Sequence, residues 1–358
     1  MQKIRVGILG ATGMVGQRFV TLLAKHPWFE VVCVAASPKS AGKLYKEAVS
    51  NKWVMEEEIP QSIANLRVYA VEDDMHEIVK QVSFVFSALD MEKENIRNIE
   101  NSFASYDIPV VSNNSAHRWT DDVPMLMPEI NLDHLSLIDF QKKHHGWKKG
   151  FIVVKPNCSV QSYVPLLTPL LPFKPEKVVV TTLQAVSGAG RTLASWPEMQ
   201  ENVIPYISGE EEKSEKEPMK IWGKVEHGKI TQAAIPHITA TCIRVPVDDG
   251  HMASVTVSFA KKPTKEEIIN AWKSFNPLQS LDLPSAPNPF ITIFEEENRP
   301  QTHLDRSLGK GMGISVGRLR EDEVFDYKFV ALSHNTIRGA AGGAVLTAEL
   351  LKAKGFIE

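Results

Sequence analysis

Cysteine is scarce in this chain. Three thiols, Cys33, Cys158 and Cys242, are spread over 358 residues. They form no CxxC pair, and an odd number cannot all be bridged. That excludes a disulfide scaffold and a cysteine zinc site, and it suits a reducing, cytoplasmic compartment. No metal is expected. Charge of one sign is lacking too. The 40 Lys+Arg and 43 Asp+Glu leave a net −3, which gives no general pull toward nucleic acid or an anionic membrane. No apolar run reaches the length of a membrane span. The opening MQKIRVGILGATG has neither the apolar core nor the small-residue cleavage site of a secretory signal. Internal repeats and low-complexity segments are absent. What is present is ordinary for a globular protein, 43% hydrophobic and 23% charged. A length of 358 residues exceeds one ordinary core, so two domains are expected.

The first 150 residues alternate between two periodicities. IRVGILG (4–10), FEVVCVAAS (29–37), RVYAV (67–71), FVFSAL (84–89) and PVVSN (109–113) read as buried strands. MVGQRFVTLLAKHP (14–27) has helical spacing and stops at Pro27, and charged helical stretches separate the later strands. Such alternation predicts a doubly wound parallel sheet. Beyond residue 150 the pattern changes. VVVTTLQAVSG (178–188), ITATCIRVPV (238–247) and HMASVTVSFA (251–260) are β-branched strands. VGRLREDEVFDYKFVALSHN (316–335) reads as a hairpin with a charged turn. GEEEKSEKEPMKIWGKV (209–225) and EEIINAWKSF (266–275) read as helices. The expectation is an α/β protein with an α+β second domain on a mixed sheet. The small-residue helix TIRGAAGGAVLTAELLKAK (336–354) is expected to pack back on the first domain. The divisions are 1–155, 156–335 and 336–358.

GATGMVG (10–16) follows a strand and opens a helix, with glycines at 10, 13 and 16. Glycine there lets the backbone approach a pyrophosphate, and the helix N-terminus offers free N–H groups and a positive dipole end. With its full strand–turn–helix context, the stretch reads as a nucleotide loop. The next strand ends in AASPKSAGK (35–43). An NAD site usually carries an acid at that point for the ribose 2′-OH. Here there are Ser37, Lys39, Ser40 and Lys43 and no carboxylate, so NADP is expected over NAD. The bland alternative is a polar turn.

Cys33 and Cys242 lie within strand patterns and read as packing residues. Cys158, in KPNCSVQSYVP (155–165), sits at a strand-to-helix junction. A helix N-terminus lowers a thiol's pKa, so a reactive thiolate is expected there. A thiolate acting on a carbonyl needs a proton-transfer partner. Most of the 11 histidines read as bland: His144 and His145 in a polar loop, and His26, His76 and His134 on charged helical surface. His251 begins a strand after an Asp-Asp-Gly turn and stands out as the partner, with a hydrogen-bonded turn histidine as the alternative. Seven positions earlier, Arg244 can clamp a carboxylate in a bidentate fork.

Taken together, GATGMVGQ (10–17), SPKSAGK (37–43), VVSNNSAHR (110–118), PNCS (156–159), QAVSGAG (184–190), IPYISGEEEKSEKE (204–217), RVPVDDGH (244–251) and HNTIRGAAGGAV (334–345) resemble the aspartate-β-semialdehyde dehydrogenase family, in its archaeal and fungal branch. The stretches keep the family's order along nearly the whole chain. The resemblance implies a Rossmann-type NADP domain followed by a catalytic and dimerisation domain. It implies NADPH-dependent reduction of aspartyl phosphate to aspartate semialdehyde, through a thioester on Cys158, with release of inorganic phosphate. His251 is the implied acid/base, and Gln184 orients the acyl group. Arg244 would bind the α-carboxylate and Glu210 the ammonium. Lys213, Arg118, Asn114 and Asn157 would line the substrate and phosphate pocket. Gly10, Thr12, Gly13, Met14, Val15, Ser37, Lys39, Ser40, Ser87, Ser187, Gly188 and Asn335 would hold the cofactor. A homodimer or homotetramer follows from the same likeness. One stretch departs from the family: Ser159-Val160-Gln161-Ser162 stands where Ser-Thr-Ala-Gly is common. The related malonyl-CoA reductases share nearly all of these motifs and are the alternative reading. A nucleotide-binding regulator that had lost catalysis would have no need of Cys158, His251 and Arg244 together.

Overall fold

The computed structural model describes residues 2–358. Its first sheet is built from the five predicted apolar runs, β1 (Ile4–Leu9), β2 (Phe29–Ala36), β3 (Val68–Ala70), β4 (Phe84–Ser87) and β5 (Val110–Ser112), and from β6 (Ile152–Val154), which leads into the Cys158 stretch. The order is β3-β2-β1-β4-β5-β6, and every pairing is parallel. The chain order reverses between β1 and β4, so a crevice opens beyond their carboxyl ends, where ligands of such sheets bind. Gly10 follows β1 at that edge, and Ser87 ends β4 there.

The second half supplies β7 (Pro175–Gln184), the small hairpin β8 (Lys224–Glu226) and β9 (Lys229–Thr231), then β10 (His237–Arg244), β11 (His251–Phe259), β12 (Ile291–Ile293), β13 (Ile314–Glu321) and β14 (Tyr327–Ser333). The large sheet runs β10-β7-β11-β14-β13-β12. It is mixed: β10 and β7 are parallel, while β11 is antiparallel to both of its neighbours. Val178 and Val180, Ala253, Val255 and Val257, and Phe329 and Ala331 point to one side and join Trp272 in the core. Trp272 rides on the helix Lys265–Ser274, which Thr264 caps through the Glu267 N–H, and its indole N–H donates to the Leu166 carbonyl at 2.9 Å. The predicted hairpin forms as β13 and β14.

The last helix, Gly342–Ala353, buries Ala344, Val345, Leu346 and Leu350 in one cluster with Ile8, Phe19, Val20 and Phe86 of the nucleotide sheet and its first helix. Two histidines expected on the surface are buried instead. His26 bonds Glu349 of this last helix at 2.8 Å and stacks on Phe29. His134 bridges Asn131 and the Gly223 carbonyl. Long-range partners decided both positions, and local charge density does not reveal them.

Candidate active site

The topology of the large sheet gathers the chemistry at one edge. β7 and β10 run parallel and end together at the paired residues Gln184 and Arg244. β11 runs the other way and therefore starts there, at His251, while β14 ends beside it, with Asn335 two residues beyond. Cys158 arrives from the other sheet, after β6 and the bend Lys155-Pro156-Asn157. Its Sγ lies 3.4 Å from His251 Nε2.

The imidazole is fully buried and held in one tautomer. The Ala185 N–H donates to His251 Nδ1 at 3.1 Å. Nδ1 is thus an acceptor, and the neutral ring carries its proton on Nε2, facing the sulfur. Burial, reinforced by the Arg244 charge, pushes the His251 pKa down to about 3. The ring is therefore neutral in ordinary buffers and acts as a donor toward Cys158. Arg244 donates to the Ala185 carbonyl at 2.6 Å, so Ala185 ties the cation and the imidazole to one peptide stretch. Gly188 lies against both. A Cβ there would stand 3.0 Å from Arg244 Nη1 and 3.1 Å from the His251 ring.

The expected low thiol pKa is overturned. No continuous helix follows Cys158; the chain makes a short turn, Ser159–Gln161, before the separate helix Val164–Leu167. Pro165 and Pro172 break the stretch, so the dipole behind the sulfur is weak. Burial raises the Cys158 thiol to about 11, and Glu210 adds to the rise; Lys155, Arg118 and Arg244 oppose it. Ser159, Val160, Gln161 and Ser162, where the sequence departs from the family pattern, are buried. On its far side the thiol is confined by Gly339, where a Cβ would come within 2.8 Å of the Cys158 Cβ.

Glu210 opens the helix Glu210–Ile221 and is the hub of the polar wall. It accepts from Lys213 Nζ (2.7 Å), from Asn157 Nδ2 (3.0 Å) and from Gln184 Nε2 (3.4 Å). Burial works to raise its pKa, but Lys213 and these hydrogen bonds outweigh it and hold the carboxyl below its usual range. Lys213, expected at the phosphate, is therefore ion-paired to Glu210. Arg118 is likewise engaged: it donates to Glu217 (2.9 Å) and to the Lys155 carbonyl (3.0 Å). Asn114 turns its amide inward, onto Ser87 (2.9 Å) and the buried Glu100 (3.0 Å). Glu217 also accepts the Asn157 backbone N–H at 2.6 Å, so one carboxylate fixes both Arg118 and the residue before the thiol.

Sequence reasoning missed Glu217 and Lys155. Glu217 falls seven residues after Glu210 on the same buried face of its helix, a spacing visible in the sequence. Lys155 is buried, its Nζ bonded to the Pro156 carbonyl, and burial pulls its pKa down to about 7. Only its position before PNCS marked it. Cys33 and Cys242 are buried as expected, and burial lifts the Cys33 thiol to about 12.

On the nucleotide side, Gly10 has φ +81° and sits against the Ala88 carbonyl, where no side chain fits. Gly13 caps the helix Met14–Leu23, which has no side-chain cap and no acid in its first turn. The N–H groups at Met14 and Val15 thus face an end free of competing carboxylates, beside the half-buried Thr12. Ser37, Lys39 and Ser40 form the turn after β2, closed by the Ser40 N–H on the Ser37 carbonyl at 2.9 Å. Asn335 donates to Ser187 (2.8 Å) and accepts from the Gly250 N–H (2.8 Å), next to the Ser187–Asp249 contact. No helix among the described residues is long and apolar enough to cross a membrane.

Comparison with known proteins agrees with this geometry. Residues 5–138 match the family model for the semialdehyde dehydrogenase NAD binding domain, and 167–338 that for the semialdehyde dehydrogenase dimerisation domain. The aspartate-semialdehyde dehydrogenase of Archaeoglobus fulgidus is 44% identical over 97% of both chains. That of Aspergillus fumigatus is 42% identical over 99% of both. The crystal structure of the Candida albicans enzyme with NADP superposes with a TM-score of 0.88 at 38% identity, covering 99% of this chain and 100% of that one. A thiol and a neutral imidazole meeting between two sheets of this order, across the whole length of such relatives, have one reading: the chain belongs to the aspartate-semialdehyde dehydrogenase family.

Proposed function

We propose that the protein reduces L-aspartyl-4-phosphate to L-aspartate-4-semialdehyde with NADPH, through a thioester on Cys158, serving lysine, threonine and methionine biosynthesis in the cytoplasm. The observation that carries this reading is the Cys158–His251 contact of 3.4 Å inside a wall of Arg244, Gln184 and Glu210. That wall offers a guanidinium for an α-carboxylate and a carboxylate for an ammonium. Malonyl-CoA has no ammonium, so Glu210 favours the aspartyl substrate.

The nucleotide end fits a 2′-phosphorylated dinucleotide, as in the Candida albicans relative. Gly10 allows close approach, the helix end at Met14 and Val15 is uncapped, and the turn at Ser37, Lys39 and Ser40 carries no acid. NADPH, when bound, supplies the hydride. The residues of the chain do the rest. The Cys158 thiol gives up its proton to solvent, the thiolate attacks the acyl carbon, the C–S bond forms, and the C–O bond to phosphate breaks, with Arg118 and Lys213 at the pocket wall. After reduction of the thioester, the tetrahedral oxyanion collapses, the C–S bond breaks and the thiolate leaves. No proton must move in that collapse. The Nε2–H of neutral His251 therefore narrows the implied acid/base role to hydrogen-bond donation, first to sulfur and then to the oxyanion. Gln184 Nε2 is a second candidate donor.

The divisions 1–155, 156–335 and 336–358 and a homodimer or homotetramer belong to the same proposal. Support for assembly comes from the match to the dimerisation domain and from exposed Val179, Val203, Tyr206 and Ile235 on the second half. The deciding experiment is phosphate-dependent, NADP-linked oxidation of aspartate semialdehyde, run beside NADPH-linked reduction of malonyl-CoA. Turnover of the semialdehyde, lost in Cys158→Ala with NADPH binding retained, is the expected result. Turnover of malonyl-CoA alone, or full activity in Cys158→Ala, would end the proposal.

A further inference from the structure

Away from the thiol, the helix Leu137–His145 ends in Lys142-Lys143-His144-His145, and both histidines turn onto one carboxylate. His144 Nδ1 lies 2.9 Å and His145 Nε2 3.0 Å from the same oxygen, Asp122 Oδ2. The three ligating atoms fall within 4.8 Å of one another. The sequence reading placed these histidines in a polar loop and expected no metal; the structure places them in a cluster beside a cleft of about 590 Å³. His117 lines the same cleft. It is buried, its Nδ1 bonds Thr120 Oγ1 at 3.0 Å, and its Nε2 has no hydrogen-bond partner. Trp119, Trp147 and His227 also line it.

The backbone that carries Asp122 is held in place. Gln141 donates to the Asp122 carbonyl (2.9 Å), and Lys220 donates to the Thr120 and Val123 carbonyls (3.2 Å each). His145 stacks on Trp147 with ring centroids 4.3 Å apart, which fixes its plane. Two imidazole nitrogens and one carboxylate oxygen make a donor set suited to borderline divalent transition ions, and oxygen-seeking Ca²⁺ and Mg²⁺ are poorly served by it. Ligand atoms about 3.3 Å apart span a tetrahedral ion with ~2.0–2.1 Å bonds, so the two nitrogen–oxygen spacings need to open by only a few tenths of an ångström.

We infer that Asp122, His144 and His145 form a second, non-catalytic site for a divalent transition metal ion of the Zn²⁺ or Co²⁺ class, with water as the fourth ligand. An ion there cross-links the end of the helix Leu137–His145 to the segment 117–123. That segment also carries Arg118, whose carbonyl is held by Lys220 at 2.7 Å.

The test uses full-length enzyme without a polyhistidine tag and with Cys158 capped by iodoacetamide, since a free thiol would also take the metal. Titration with Co²⁺, followed by ligand-field absorption and calorimetry, should show one ion per chain, displaced by Zn²⁺. His144 is largely exposed, so His144→Ala leaves the fold intact; it should weaken binding at least tenfold, and His145→Ala likewise. Aspartate semialdehyde turnover, measured on uncapped enzyme without added metal, should be unchanged in both variants. Absence of a bound ion at millimolar Co²⁺, or equal affinity in the variants and the parent, would overturn the site.

Discussion

Glu210→Gln offers a direct test of what sets the reactivity of the thiol. After burial, Glu210 is the largest influence raising Cys158 to about 11, and Lys213 neutralises part of it through a 2.7 Å ion pair. A unit charge facing the sulfur at an effective dielectric of about 20 is worth on the order of 2 kcal/mol. Lys213 keeps its charge in both forms, so the variant loses the whole of the Glu210 contribution. At about 1.36 kcal/mol per tenfold step, the thiolate population at neutral pH should rise roughly 30-fold. The intrinsic nucleophilicity of a thiolate falls as its pKa falls, with a Brønsted slope of about 0.4–0.5, so the net gain in alkylation rate is roughly five- to eightfold. The assay is the iodoacetamide rate against pH by mass spectrometry. Cys33 and Cys242 are sealed at 1% and 0% exposure, so Cys158 dominates the signal. The midpoint of the profile should move to lower pH. A midpoint that stays put or moves up would refute the electrostatic reasoning. In the natural reaction the substrate ammonium would act as the lost charge does here, so binding the correct substrate would help ionise the nucleophile.

The remaining expectations are more compact. Gly188→Ala should cut kcat about 10- to 100-fold with little change in melting temperature, because its methyl would press on both Arg244 and His251; steady-state kinetics with an unchanged kcat would contradict this. The pH dependence of kcat/KM should rise through the alkaline range with the Cys158 thiol, and it should lack an acid limb near the usual histidine value. His251 is neutral above about 3 and the thiolate is the reactive form. A clear inflection near 6.5 that His251→Asn removes would count against the tautomer assignment. Glu129→Gln should cost about 3–5 kcal/mol in denaturant unfolding, since it leaves the buried Arg338 without its two-pronged partner at 2.8 and 3.0 Å; a loss below ~1 kcal/mol would show that the pair is already solvated.

Local chemistry determined a good deal of this protein. The apolar and alternating runs located most strands of both sheets, though not β12, because burial writes itself into neighbouring residues. Gly10 was legible because a positive φ excludes other side chains, and Cys158 because its neighbours break the strand pattern. The tertiary structure alone decided the state of that sulfur. The sequence suggested a helix dipole and a low thiol pKa; the fold supplied a three-residue turn, burial and a nearby carboxylate, and raised it. The same holds for His251, whose tautomer depends on the Ala185 N–H, 66 positions away in the chain, and for Lys213 and Arg118, which are drawn into ion pairs with Glu210 and Glu217. His26, His134, His144 and His145 read as bland because their partners are Glu349, Gly223 and Asp122, each brought near only by folding. Sequence records which groups can ionise, whereas charge and proton position depend on distances and desolvation that exist only once the sheets have closed on each other.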